Sequence, residues 1–334
     1  MVLDRLQKIL SAIREVKIGV IGDFCLDAYW EIHEDTHETS IETGKSIIAV
    51  SSQRYSLGGA GNVIHNVVTL GAGNIHAFGV LGNDLFGNEV IRQLATLGVN
   101  CSGMIIQSLF FDTPVYAKPF LSGVEQRRID FGGKNTLGPQ TADILLESVK
   151  RRLPHLDALI VNEQLLKSIY TPSVIAMLNE AADGYREKLF LLDSRDRTLD
   201  FHHMMYKINA IEAARIFGKS VLHNEDVPVE ELQQYARLLY ERFEKPVYIS
   251  RSSLGLLLFD GTSCRELPAH MVSGPIDPVG AGDTTVAAIA CALAAGASLD
   301  EAGVFANLAA AVAIRKLKLT GTATPGEILH LASS

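Results

Sequence analysis

Cysteine is scarce: four residues, at positions 25, 101, 264 and 291, are spread over 334. None falls in a Cys-x-x-Cys or Cys/His grouping with zinc spacing, so a reduced, disulfide-free chain is expected. Long apolar runs are missing as well. The longest candidate, residues 286–297, is too short to span a bilayer. The first 17 residues carry charges throughout and lack the apolar stretch of a signal peptide; Leu3, Leu6, Leu10 and Ile13 have helical spacing instead. The expectation is a soluble, cytoplasmic protein with no membrane partner. Basic excess is absent too. Thirty Lys and Arg face 38 Asp and Glu, a net charge of −8, which argues against a nucleic-acid partner. An anionic substrate would have to be met by a local cluster of donors. Two nucleotide signatures are also missing. No Gly-x-Gly-x-x-Gly follows the first strand-like run. A P-loop needs glycine five residues before its Gly-Lys-Ser, but Thr39 precedes Gly44-Lys45-Ser46 and Ala213 precedes Gly218-Lys219-Ser220. His202 and His203 read as neighbours pointing apart on a helix, which leaves a zinc hydrolase without ligands.

What remains is an ordinary globular composition, 47% hydrophobic and 20% charged, enough for a sizeable core. Strand-like and helical patterns alternate along it. Residues 17–22, 75–82, 158–161, 188–193 and 246–250 are short apolar strands. Residues 61–71 and 85–98 are helical and end at glycine. This rhythm predicts a largely parallel sheet covered on both faces. Two regions break it. Residues 30–57 are polar, with only Ile47–Val50 strand-like. Residues 113–131 hold two strand-like runs joined at Ser122-Gly123, a hairpin signal. Together they predict a small antiparallel sheet added to a single domain of residues 1–334. After Asp283 the chain is Ala-rich and helical, split in two by Gly296 and Ser298.

The strongest local feature is Asp277-Pro278-Val279-Gly280-Ala281-Gly282-Asp283-Thr284. Small residues before a helix let backbone amides approach an anion, and the helix dipole favours phosphate there. An acid at that place suits taking a proton from a hydroxyl about to attack a phosphoryl group. The plainer alternative is an ordinary first-turn aspartate. Leu57-Gly58-Gly59-Ala60-Gly61-Asn62 precedes the helix at 61–71; its glycines allow close ligand approach, and Asn62 suits a substrate hydroxyl or a helix cap.

Taken together, the two glycine motifs in an α/β chain resemble the ribokinase-like (PfkB) sugar kinase family, over nearly the whole length. The resemblance implies a three-layer α/β ribokinase-like sandwich with a mostly parallel central sheet and a small β-sheet lid. It implies ATP as phosphoryl donor, a sugar or sugar phosphate as acceptor, and Asp283 as base over an anion hole of Gly280, Ala281 and Gly282. Gly58 and Gly59 fall on the substrate side. Asn209 and Glu212 look like the family's Asn-x-x-Glu motif, whose acid helps to hold Mg2+; a capping box is the alternative reading. Ser250 and Arg251 stand where the family contacts phosphate, with Gly255 on the same nucleotide side. Asp277 and the Val279 carbonyl match the family's monovalent-cation site, which takes K+. Asn307 lies beside the adenine or packs between helices. A homodimer paired through the lid is implied as well.

The run Gly22-Asp23-Phe24-Cys25-Leu26-Asp27-Ala28-Tyr29-Trp30 is similar to the opening of bacterial heptose 7-phosphate kinases, the kinase domain of ADP-heptose synthases. That similarity places Asp23 and Asp27 toward the sugar. Arg127 and Arg128 sit on the expected lid strand, where one grips a sugar phosphate or both are solvated. The chain departs from those kinases at Asn162-Glu163-Gln164-Leu165-Leu166-Lys167, in place of Asp-Tyr-x-Lys-Gly, with Glu163 standing in for the aspartate. It departs again at Asp193-Ser194-Arg195, in place of Asp-Pro-Lys. No stretch reads as an appended nucleotidyltransferase domain. A non-catalytic binding member of the same fold is the rival expectation.

Overall fold

The computed structural model describes residues 1–33, 38–222, 225–317 and 320–333. The chain opens with α1 (Leu3–Ile13), whose Leu6, Ile9, Leu10 and Ile13 form one buried stripe. Next comes β1 (Lys17–Gly22), then an excursion through β2 (Phe24–His33) and β3 (Ala49–Gly59). The chain returns by α2 (Ala60–Thr69), β4 (Asn74–Gly82), α3 (Leu85–Thr96) and β5 (Asn100–Gln107). A second excursion holds β6 (Val115–Leu121), β7 (Val124–Glu125) and β8 (Ile129–Phe131). Then α4 (Pro139–Arg152), β9 (Ala158–Glu163), α5 (Pro172–Gly184), β10 (Leu189–Ser194), β11 (Met205–Asn209) and α6 (Ala210–Ile216) follow. After α7 (Val229–Phe243) come β12 (Val247–Ser250), β13 (Leu256–Phe259) and β14 (Cys264–Leu267). The last helices are α8 (Ala281–Ala294), α9 (Leu299–Ala313) and α10 (Pro325–Ala332).

The main sheet has nine strands in the order β14-β13-β12-β11-β10-β9-β1-β4-β5. From β5 to β12 all pairings are parallel; β13 and β14 add an antiparallel edge. Parallel strands covered by helices read as continuous apolar runs, and β1, β4 and β9 do so. One core lies between the sheet and α1, α2, α3, α8, α9 and α10; a second lies between it and α4, α5, α6 and α7. The predicted sandwich is therefore the observed one. The chain leaves β1 toward β4 on one side and later fills β9 on the other. This reversal of strand order opens a crevice at the carboxyl ends of the strands, where open α/β sheets bind ligands.

The second sheet, in the order β3-β2-β6-β7 with β8 also on β6, differs from expectation in three ways. It begins at Phe24 rather than near residue 30, and β3 runs to Gly59, through a polar stretch that had offered no strand signal. Edge strands with solvent on one face tolerate such polar alternation. The sheet is mixed, because β2 pairs parallel with β6 while β3, β7 and β8 pair antiparallel. The second run of the expected hairpin splits into β7 and β8, so Arg127 and Arg128 lie between strands, not on one. Part of the expected lid span, residues 34–37, lies outside the described residues. Among those described, no helix is long and apolar enough to cross a membrane.

Candidate active site

Both glycine motifs end where a helix begins, at the carboxyl ends of the central strands. Gly59 (φ 54°) starts α2 and Gly280 (φ 84°) starts α8, neither with a side-chain cap. A side chain at Gly59 would meet the Asp23 carbonyl oxygen; one at Gly280 would press within 2.8 Å of Thr320 Cγ2 and 3.2 Å of the Asn62 amide nitrogen. Glycine is the residue both left-handed turns require. The two helices then pack side by side through buried polar groups. Asn62 Nδ2 donates to Asp283 Oδ2 at 2.5 Å, Asn66 Nδ2 to the Asn62 carbonyl at 2.9 Å, and Thr284 Oγ1 to Asn66 Oδ1 at 2.8 Å. Asn62 is thus the partner of Asp283, a tie that the separate motifs did not reveal.

Burial pushes the Asp283 carboxyl up to about 6, against the Asn62 hydrogen bond and Lys207; the charges of Asp193 and Asp27 push the same way as burial. Asp27, from β2, and Asp283, from α8, are thus near enough for the charge of one to act on the other. Between them lies the Cys25 thiol, raised by burial and then by Asp27, Asp23 and Asp283. Asp27 Oδ1 pairs with Lys118 Nζ of β6 at 2.7 Å, and Gly58 leaves room beside its other oxygen, since a Cβ there would sit 3.2 Å away.

Lys207 is the largest omission of the sequence reading. It is the one charged residue of β11, its ammonium buried 3.2 and 3.3 Å from the two Asp193 oxygens. A Cβ on Gly282 would lie 3.2 Å from Lys207 Nζ, so this cation rests against the first turn of α8. Burial opposes its charge, but Asp193, then Glu212 and Asp283, outweigh burial and hold its pKa above the ordinary value. The readable signal was one lysine between Tyr206 and Ile208. The sequence had no way to say that it faces α8.

The other expected site residues divide. Glu212 and Asn209 form a full capping box, Asn209 N to Glu212 Oε2 at 3.0 Å and Glu212 N to Asn209 Oδ1 at 2.8 Å. The capping-box reading of that motif is the observed one; burial, and the Asp193 charge with it, raises Glu212 while Lys207 lowers it. Asp277 Oδ1 accepts from Val279 N at 3.1 Å, a local turn. Ser250 ends β12, its hydroxyl toward the Ile208 carbonyl at 3.4 Å.

Several expectations need correction. Asp23 is buried and accepts from Gln164 N, Leu165 N, Ser168 Oγ and Ile169 N at 2.8–3.1 Å; its carboxylate clasps the 164–169 loop beneath the site and has nothing left for a sugar. Glu163 gives one oxygen to the neighbouring loop, its Oε2 accepting from Ser194 Oγ and the amides of Arg195, Asp196 and Arg197. The departures from the heptose-kinase pattern at 162–167 and 193–195 therefore clasp one another. Arg128 makes a two-point pair with Asp130 (2.7 and 2.8 Å) over the Tyr116 ring. Arg251 pairs with Glu266 at 2.5 Å, while Gly255 (φ 85°) lets the 267–269 backbone pass close. Asn307 gives its amide protons to the Leu267 and Pro268 carbonyls, the packing reading. Of the three expected anion-hole amides, that of Ala281 donates to the Pro278 carbonyl at 3.1 Å.

Buried polar atoms nearly always find partners. Among the described residues the side-chain exceptions are Ser56 Oγ, both Asn162 amide atoms, Arg251 Nε and Thr320 Oγ1. Ser56 pairs with Asp27 in the lid, Asn162 lies between Gly22 and Asp193, Thr320 abuts Gly280, and Arg251 follows the carboxyl end of β12. Unsatisfied groups thus collect around one crevice, as expected where a polar ligand completes the bonding. The arrangement supplies a carboxylate raised to about 6, a buried cation, a helix N-terminus and a small polar sheet beside them, parts that suit moving a phosphoryl group onto a hydroxyl.

A profile of the pfkB family of carbohydrate kinases matches residues 17–325, and the chain belongs to that family. The bifunctional protein HldE of Wolinella succinogenes is 28% identical over 330 residues, covering 98% of this chain and 66% of its own length. The chain thus spans just under two thirds of that relative. Escherichia coli phosphofructokinase-2, solved in complex with potassium, shares the fold at a TM-score of 0.75 and 19% identity, covering 95% of this chain and 98% of its own. Arabidopsis thaliana ribokinase, solved with ribose and ATP, gives 0.70 and 18%, covering 96% and 99%.

Proposed function

We propose that this pfkB-family chain transfers the γ-phosphoryl group of ATP to a hydroxyl of a sugar or sugar phosphate, with Asp283 as the general base. The observation that carries the reading is the Asp283 carboxyl at the first turn of α8, held by Asn62, raised to about 6 by burial, and flanked by Lys207 and the field of Asp27. A base with that pKa is mostly ionised at neutral pH yet basic enough to accept the acceptor's proton as its oxygen attacks. Asp27 and Lys118 hold the sugar, and the Asn162 amide gains partners from it. The Gly280 and Gly282 amides with the Lys207 ammonium offset charge gathering on the transferred group. Asp193 keeps that lysine aimed. The lid sheet excludes water, the competing acceptor.

Glu212 would hold Mg2+, with Asp193, paired through both oxygens to Lys207, lending negative charge nearby. Glu212 commits Oε2 to its own helix, while Oε1 accepts no hydrogen bond among the described residues, which suits a hard cation bound directly or through water. Bound there, Mg2+ would supply positive charge to offset that of the donor's phosphates. The carboxylate and carbonyl donors of Asp277 and Val279 suit K+, the ion found with the phosphofructokinase-2 above. The finer reading is a heptose 7-phosphate as acceptor, supported by the Gly22–Trp30 run and by the HldE relatives. A lid-paired homodimer is part of the same proposal.

The test is ADP release with Mg2+ and K+ over a panel of sugars and sugar phosphates that includes heptose 7-phosphate. Turnover confined to that compound supports the finer reading; turnover with another sugar retains the kinase and replaces the substrate. No ADP with any acceptor, together with a sugar-induced rise in Tm, would leave a binding protein in its place.

A further inference from the structure

Away from the crevice, at the amino end of β11, Asp183, His202 and His203 bring three ligand atoms within 4.8 Å of one another. His202 Nε2 lies 3.7 Å from Asp183 Oδ2 and His203 Nε2 lies 3.3 Å from Oδ1. The pair does not sit on a helix, as the sequence suggested. His203 adopts φ 57°, and that left-handed turn brings the second ring back toward the first, with centroids 5.1 Å apart. Successive residues in extended backbone would point to opposite sides.

The backbone carrying the pair is held at both ends. Phe201 and Met204, on either side, are fully buried. Asn179, one turn before Asp183 on α5, accepts from His202 N at 3.1 Å and donates to the Asp200 carbonyl at 3.0 Å. Tyr206 donates to the Phe201 carbonyl at 2.8 Å. The same helix thus supplies the carboxylate and fixes the loop that supplies both imidazoles.

We propose that Asp183, His202 and His203 form a binding site for a zinc-class transition-metal ion, clipping the β10–β11 connection to α5. Metal–ligand bonds of about 2.0–2.2 Å at tetrahedral angles place donor atoms roughly 3.3–3.5 Å apart; here each imidazole nitrogen lies 3.3 or 3.7 Å from one of the two carboxylate oxygens, and one donor atom from each residue lies within 4.8 Å of the others, so small side-chain rotations bring the three onto one ion. Two imidazoles with one carboxylate favour Zn2+, Co2+, Ni2+ or Cu2+ over Mg2+ and Ca2+, which prefer oxygen. Three protein ligands on a partly exposed surface leave a position for solvent, so the ion exchanges readily. The site stands at the opposite end of the sheet from Asp283 and does not depend on the kinase reading.

Calorimetric titration of the whole chain with Zn2+, in excess Mg2+ to fill oxygen-only sites, is expected to give one ion per chain. Co2+ should give the visible absorption of a low-symmetry site. The His202→Ala/His203→Asn variant, with asparagine chosen because it tolerates the left-handed turn, should lose more than about tenfold in affinity. Zn2+ should raise the Tm of the parent and not of this variant. Circular dichroism of the metal-free variant checks its fold; if that variant misfolds, Asp183→Asn, on the far side of the contact, is read in its place. Unaltered Zn2+ affinity in a folded variant, or no Zn2+ uptake by the parent, overturns the proposal.

Discussion

The mouth of α8 and the lid sheet carry the same kinds of side chain, and the fold treats them differently. At α8, Lys207 and Asp193 are buried together and Asp283 is tied to Asn62 inside a network joining two helices. In the lid, the Arg128–Asp130 pair is about half exposed and the Asp27–Lys118 pair is partly open, with Lys118 also over the Tyr29 ring at 5.0 Å. A buried pair cannot lose one member without stranding the other in low dielectric; an exposed pair trades partners with water at little cost. On the proposed function, the rigid end would set the reaction, and the end whose contacts can be rearranged would choose the acceptor.

The comparison breaks first at Asp283. Asp283→Asn is expected to lower kcat by about 10²–10⁴ while ADP affinity, measured by calorimetry, stays near the parent value. Undiminished kcat would remove Asp283 from its role. Next is Lys207→Met, expected to cost about 10²–10³ in kcat, as for loss of one charge-stabilising donor, and to lower Tm because Asp193 is left buried and alone. Lys207→Met/Asp193→Asn should regain Tm without regaining kcat. Equal recovery of both would make the lysine structural only.

The pH profile separates the ends without a mutation. Asp283 works ionised and its free-enzyme pKa is about 6, so kcat/KM should rise as pH increases through about 6 and level above it. Asp283→Asn should lose that acidic limb; a limb that persists in the variant belongs to another group. In the lid, Asp27→Asn should raise the sugar KM by roughly tenfold and lower Tm less than Lys207→Met does, since the Asp27–Lys118 side chains keep 16–17% of their surface open to water against 5–6% for Lys207 and Asp193. Smallest of all, Arg128→Ala should leave Tm nearly unchanged, since a half-exposed pair contributes at most about 1 kcal/mol, and change the KM of an unphosphorylated sugar little. A large rise in KM for a sugar phosphate alone would show that Arg128 leaves Asp130 for the substrate.

Legibility followed the same divide. The parallel strands announced themselves because burial on two faces demands apolar runs, and both helix starts were marked by glycines that only left-handed turns require. The lid was seen as an interruption and misjudged in extent, because β3 passes through Ser51, Ser52, Gln53 and Arg54, residues whose place in a strand depends on edge pairing with β2. Asp23 and Glu163 looked like substrate acids, and the fold uses both to bind backbone amides of neighbouring loops. A carboxylate at a strand end has the same letter whether it faces ligand or chain.

By itself, the sequence determined the layer order, the two glycine turns and the acid at the start of α8, since each rests on local periodicity or on backbone angles open to few residues. Only the tertiary structure decided which charges meet. Lys207 and Asp193 come from adjacent strands, Asn62 and Asp283 from helices 221 residues apart, and Asp183 reaches His203 across a connection. Such pairings depend on register and on helix packing, which no local pattern encodes, and they set the buried charges on which the proposed chemistry rests.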